Sequence, residues 1–131
     1  MSKKITIIKV RRETHPDVNH QLQWLGNSLG LFNIRDKDSS CFRVFITLVK
    51  KAKQNQPLTS DQIAERLHLT RGTVVHHLTK LMNTGIVVRE SKGYLLREVD
   101  LARVIKDIQT DMDNMFSELK LVAKDIDERL G

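Results

Sequence analysis

The sequence has little of what disulfide-stapled, fibrous or membrane-spanning proteins are made from. One cysteine, Cys41, among 131 residues excludes an intramolecular disulfide and a cysteine zinc cluster, and is compatible with a reducing compartment. With 2 prolines, 6 glycines, 40 % hydrophobic and 29 % charged residues, the chain is expected to be globular rather than disordered. Aromatic residues make up 5 %, which leaves the core mainly to Leu, Ile and Val. No apolar run approaches the roughly 18 residues of a membrane span. The apolar stretch within MSKKITIIKVRRE is too short for a signal peptide, so a cytoplasmic, nucleoid-associated protein without a membrane partner is expected. The length admits one domain with an extra element and excludes a cofactor domain joined to a separate substrate domain.

The sequence also lacks the constellations of catalysis. It contains no Ser/His/Asp or Cys/His arrangement, no Gly-rich phosphate loop and no clustered carboxylate pair, so neither an enzyme nor a cofactor is expected. His15, Asp17 and His20 are the nearest approach to a metal set. Neighbouring surface histidines are ordinarily plain surface, and no metal is assigned to them.

What is present in excess is positive charge, unevenly placed. The net charge is +6, but residues 100–131 hold 5 Lys+Arg against 8 Asp+Glu, a net of −3, which leaves +9 on residues 1–99. A basic body with an acidic final segment suggests two surfaces with different partners. Solubility charge would give the same numbers, so the motifs have to decide.

Along the chain, residues 1–13 read as a basic strand or arm, with Ile5, Ile7 and Val10 as its packing positions if it is a strand. Thr14, followed by Pro16 and Asp17, signals a helix start; Leu22, Leu25 and Leu29 follow at helical spacing beside Trp24, and Gly30 is a stop. After the polar link 33–38, Ser39 or Ser40 can cap a second helix whose stripe is Phe42, Phe45, Ile46, Val49 and Ala52. Leu58 can supply a very short strand. Thr59 and Gln62 have the spacing of a capping box for a short helix that turns Ile63, Ala64 and Leu67 inward. Thr70 caps the next helix, which buries Val74, Leu78 and Leu81 and closes at Gly85. Two short β-rich runs around Ser91-Lys92-Gly93 form a hairpin. From Asp100 one long helix follows. Its apolar residues alternate in fours and threes: Leu101, Ile105, Ile108, Met112, Met115, Leu119, Val122 and Ile126. That is a heptad seam, broadened by Phe116, Ala123 and Leu130, on a helix on the order of 45 Å long. A body of this size has little with which to cover it, so pairing with a second copy is expected over folding back.

Helix, helix, tight turn, helix, hairpin is a helix-turn-helix with a wing. The stretch LTSDQIAERLHLTRGTVVHHLTKLMNTGIVVRESKGYLLRE resembles the core of the arsenical-repressor-like (ArsR-type) winged-helix regulators of bacteria and archaea. The likeness is carried by Gln62-Ile63-Ala64-Glu65-Arg66-Leu67, Leu69-Thr70-Arg71-Gly72-Thr73-Val74, His77-Leu78-Thr79-Lys80-Leu81 and Gly85-Ile86-Val87. It covers about 40 residues strongly and Phe42 to Ala52 more loosely, and other winged-helix regulators share such a core. The resemblance implies a mainly α fold with a small β-hairpin wing, arranged as a winged helix-turn-helix domain over 14–98 and a dimerisation helix over 99–131. It implies double-stranded DNA as partner and transcriptional regulation, with repression the expected mode.

A recognition helix buries one face and offers another, chiefly from its first turns, to the major groove. The residues assigned to DNA are Thr70, Arg71, Gly72, Thr73, Val75, His76 and Lys80 on that helix, and Arg89, Lys92 and Arg97 on the wing. Arg71 can donate two hydrogen bonds to a guanine, and Val75 can touch a thymine methyl. Gly72 costs about 1 kcal/mol relative to Ala inside a helix, which close approach of the DNA backbone would explain. His77 is read as scaffold. Lys50, Lys51 and Lys53, with Lys3, Lys4, Lys9, Arg11 and Arg12 of the arm, are further phosphate candidates. Two copies would read half-sites about one turn of DNA apart, roughly 34 Å. The competing reading is a winged-helix protein-interaction subunit of a transcription or chromatin assembly. No metal ligand set of the resembled family is present, and no effector is legible.

Overall fold

Short polar side chains set the starts of four of the five helices. In the computed structural model, which describes residues 6–8, 12, 17–32 and 39–131, Asp17 accepts the His20 amide at 2.8 Å and opens α1 (Val18–Ser28). Thr59 and Gln62 close a complete capping box on α3 (Ser60–Leu67), with reciprocal bonds of 3.1 and 2.9 Å. Thr70 accepts the Thr73 amide at the start of α4 (Arg71–Asn83), and Asp100 accepts the Arg103 amide at the start of α5 (Leu101–Leu130). Each such cap satisfies an amide that the helix cannot, for about 1 kcal/mol. α2 (Ser40–Ala52) differs from expectation. Ser39 stands at its N-cap in the left-handed region (φ 52°) and makes no side-chain cap bond, whereas the other four caps have extended backbones that turn the oxygen onto the helix.

The α1 start also moves: Asp17 is the cap, and Thr14 lies outside the described residues. So do Ile5, Val10, Lys3, Lys4, Lys9, Arg11, His15 and the polar link 33–38. Within the arm, residues 6–8 form no strand and Ile7 is exposed rather than packed. Ile8 donates its amide to the Ser28 carbonyl at 2.8 Å, which fastens the arm to the end of α1.

The core gathers around α2, which contacts α1, α3, α4 and the hairpin. Phe45 and Ala52 of the expected stripe are buried, but because α2 is covered from several sides Cys41, Val44 and Leu48 are buried with them, and Phe42, Ile46 and Val49 are only half-buried at its edges. Gly26 joins α1 to this centre. A Cβ there would overlap the Phe32 ring, which meets Phe42 and Phe45 edge-on at 5.3 and 6.1 Å. Ile63, Val74, Leu78, Leu81 and Ile86 are also fully buried, as are Leu31, Val87 and Val104.

The wing pairs β1 (Val87–Glu90) with β2 (Gly93–Leu96) antiparallel, Val87 opposite Leu96 and Glu90 opposite Gly93, so the turn itself is Ser91-Lys92. Leu58 adds the expected very short strand: it exchanges two backbone hydrogen bonds with Tyr94, at 2.9 and 2.8 Å. This approach requires glycine at 93, where φ is +137° and a Cβ would stand 2.5 Å from the Leu58 carbonyl carbon. The wing is thereby fixed to the loop that launches α3. The architecture is mainly helical, with a small hairpin and a long final helix.

Candidate nucleic-acid interface

Helix α4 is held from beneath and open above. Val74, Leu78 and Leu81 are fully buried, while Arg71, Gly72, Val75 and His76 are exposed and Thr73 and Lys80 half-exposed. The Thr70 hydroxyl does double duty, accepting the Thr73 amide and donating to the Thr73 hydroxyl at 2.8 Å. The first turn therefore presents two aligned hydroxyl groups beside Arg71. Arg71 Nε lies 3.6 Å from Asp61 of α3, with both side chains more than 70 % exposed. A pair so open to water contributes well under 1 kcal/mol, so the guanidinium is easily drawn to another acceptor.

Nothing lies within 4 Å of a Cβ built on Gly72, so no packing inside the chain requires glycine there. Thr79 shares the outer face, since it follows Arg71 and Val75 at intervals of four. Its hydroxyl donates to the Val75 carbonyl at 2.9 Å. It was not among the residues assigned from the sequence, although that four-residue spacing was there to be read. The His77 ring is half-buried and tilted 5.4 Å from that of His76, in keeping with a scaffold position.

The wing carries two of its three assigned cations outward. Arg89 is exposed with its guanidinium 5.5 Å over the Tyr94 ring, and Lys92 stands in the turn. Arg97 departs from the reading as a DNA contact. Its Nη1 donates to Asp111 at 2.7 Å and its Nε lies 3.3 Å from Asp107, both on α5, and its side chain is only 23 % exposed. The hydrogen bond that Arg97 donates to Asp111 raises the guanidinium pKa further, against the opposing effect of burial. Beside this clamp the Glu98 carboxyl is also raised, first through a hydrogen bond with Asp107 and then through repulsion from its charge. Arg97 faces inward because α5 leaves the end of β2 after a short bend and brings Asp107 and Asp111, of its second and third turns, against it.

The lysines of α2 and its C-cap lie at the C-terminal end of that helix. Lys50 and Lys53 are exposed, and Lys51 donates to Gln54 at 3.4 Å. Arg43 of the same helix bonds the Leu67 carbonyl that ends α3. Arg12 stacks over Trp24 at 5.6 Å. His20 sits 3.1 Å from Asp17, and among the described residues no three His, Cys, Asp or Glu are grouped to hold a metal.

The heptad seam of α5 is divided. Leu101, Ile105, Ile108 and Met112, joined by Val104, pack against the core of their own domain. Met115, Leu119, Val122 and Ile126 emerge beyond it, with Phe116 and Leu130 beside them, all exposed. The expectation that the whole stripe lacks cover within its own chain thus fails for the proximal half, because the body is wide enough to cover about three turns of helix. Among the described residues no helix is long and apolar enough to cross a membrane.

An amphipathic helix resting on two others, with a hairpin alongside and its polar face free, defines a winged helix-turn-helix. Residues 51–88, from the end of α2 through α3 and α4 into β1, match the family described as "Bacterial regulatory protein, arsR family", so this part of the chain is similar to the helix-turn-helix of that family. The match supports DNA-binding transcription regulation. No curated protein and no solved structure matches the chain.

Proposed function

We propose that the protein is a sequence-specific double-stranded DNA-binding regulator of transcription that acts as a homodimer, with repression by occupancy of its site as its mode. α4 enters the major groove with Arg71 and Val75 toward base edges, and Thr70, Thr73, His76 and Lys80 toward bases or phosphates. Arg89 and Lys92 of the wing meet the backbone or the minor groove. The observation that carries this reading is the open face of α4: a helix fully buried on Val74, Leu78 and Leu81 whose opposite side holds Arg71, Gly72 and Val75 without cover. Each copy supplies one reading head, and the exposed half of α5 joins the two. The acidic final segment keeps that joint clear of DNA. The location that goes with this function is the cytoplasm, in association with the nucleoid.

Selection of bound DNA from a random pool, followed by gel shifts across a salt series, tests the proposal. A two-fold symmetric motif bound with a steep salt dependence is the expected result. On the selected site Arg71→Ala is expected to cost about 1–3 kcal/mol and to relax preference at one base pair. Unchanged affinity and preference would remove α4 from the groove. A monomeric chain without salt-sensitive DNA binding would instead fit the protein-interaction subunit.

A further inference from the structure

In the DNA-binding reading Arg71 is the cation of α4 that meets a base, and it does not stand alone. Its Nε lies 3.6 Å from the carboxylate of Asp61, in the first turn of α3, and both side chains are mostly exposed. A guanidinium is flat and rigid, with one N–H at Nε and two at each terminal nitrogen. With the carboxylate on the Nε side, the terminal nitrogens stay free, and they form a fork that fits guanine O6 and N7. The neighbouring Thr70 and Thr73 hydroxyls are bonded to each other. Nothing lies within 4 Å of a Cβ built on Gly72, so the outer face of this first turn is open.

Resting on the DNA-binding reading, we infer that Asp61 is a specificity-determining residue: it holds Arg71 by the Nε side and turns the terminal fork to a guanine in preference to a phosphate. Two effects give it this role. The first is charge. A phosphate drawn to Arg71 is brought against the Asp61 carboxylate as well, and the two anions repel. The edge of guanine is neutral and meets no such repulsion. Without the carboxylate an arginine serves either acceptor, and a phosphate contact carries no sequence information. The second effect is order. Immobilising a long side chain at an interface costs the equivalent of roughly 2- to 10-fold in affinity. A carboxylate that already restricts the guanidinium lowers this cost for one orientation. In the free chain water screens the pair and it is weak. Docked DNA displaces that water, so the pair strengthens where the base is read. The base pair read through Arg71 is accordingly G·C.

The test uses the DNA selected by the wild-type chain, compared with duplexes changed at the one position that Arg71→Ala relaxes. Asp61→Asn removes the charge and keeps the size. It is expected to lower the preference for G·C at that position by about 2- to 10-fold, while binding to unrelated DNA tightens as the repulsion is lost. In an Arg71→Ala background the same substitution is expected to change the preference no further. Glu65→Gln removes an equal charge one turn along α3, where Glu65 is also exposed, and is expected to leave the preference as it was. A carboxylate in the first turn also favours the helix itself. Preference is a ratio of two affinities of the same variant, so any loss of folded chain cancels from it. A preference that survives Asp61→Asn but not Arg71→Ala would overturn the inference and leave α4 in the groove. An equal loss with Glu65→Gln would assign the effect to the general field of α3 and overturn it too. A change of preference from Asp61→Asn in the Arg71→Ala background would make Asp61 a direct reader of cytosine, and the positioning role would fall. Absence of salt-sensitive DNA binding, or an Arg71→Ala variant with unaltered preference, would refute the DNA-binding reading of α4 and this inference with it.

Discussion

Replacing Arg97 by methionine separates the two roles that its position on the wing allows. In the structure the guanidinium bridges β2 to α5, with Nη1 2.7 Å and Nη2 3.4 Å from the two oxygens of Asp111 and Nε 3.3 Å from Asp107. Exposed ion pairs are worth about 0.2–1 kcal/mol, and hydrogen bonds to charged groups about 1.5–3. With the arginine 23 % exposed and Asp107 and Asp111 at 30 and 41 %, water screens part of the interaction, and the loss is expected at about 1–2 kcal/mol. Methionine keeps most of the packing of the stem, so this loss reports the charge. For a domain of this size it corresponds to a fall in Tm of about 3–10 °C. The assay is urea unfolding of Arg97→Met, Asp111→Asn and the double variant. The double variant is expected to be less damaged than the sum of the two, by a coupling of about 1 kcal/mol. Full additivity would show that the clamp does nothing. A variant with unchanged stability but weakened DNA binding would return Arg97 to the surface role that its place on the wing suggests.

Other substitutions probe the same framework. Gly93→Ala forces a side chain into a left-handed backbone and against Leu58. It is expected to cost about 2–4 kcal/mol and to release the Leu58 bridge, visible as faster amide exchange at Leu58 and Tyr94; wild-type stability would contradict the close approach. Glu98 has a pKa raised in the folded chain, so its contribution favours folding below the ordinary glutamate range and is lost as pH rises through the raised value. Glu98→Gln, which resembles the protonated form, is therefore expected to melt higher than wild type at pH 7, with the gap closing toward pH 4. A lower Tm at pH 7 would show that the charge of Glu98 is wanted where it stands.

The division between what could be read and what could not follows the range of the forces involved. The capping box of Thr59 and Gln62, the caps at Thr70 and Asp100, and the left-handed closure at Gly85 all depend on hydrogen bonds or backbone freedom within a few residues. So does the two-faced pattern of α4. The sequence by itself therefore determined the helix-turn-helix, the hairpin and the length of the final helix. It could not show how far each apolar face is covered, since that depends on the bulk of elements distant in the chain. The centre of α2 shifts to Val44 and Leu48 because other elements close on it from several sides. Gly93 is needed because the Leu58 backbone comes to rest against it. Only the tertiary structure decided that Arg97 turns inward, since the carboxylates that hold it arrive on α5. It alone divided the heptad seam, because the body's width ends near Met112 and leaves the same face bare beyond.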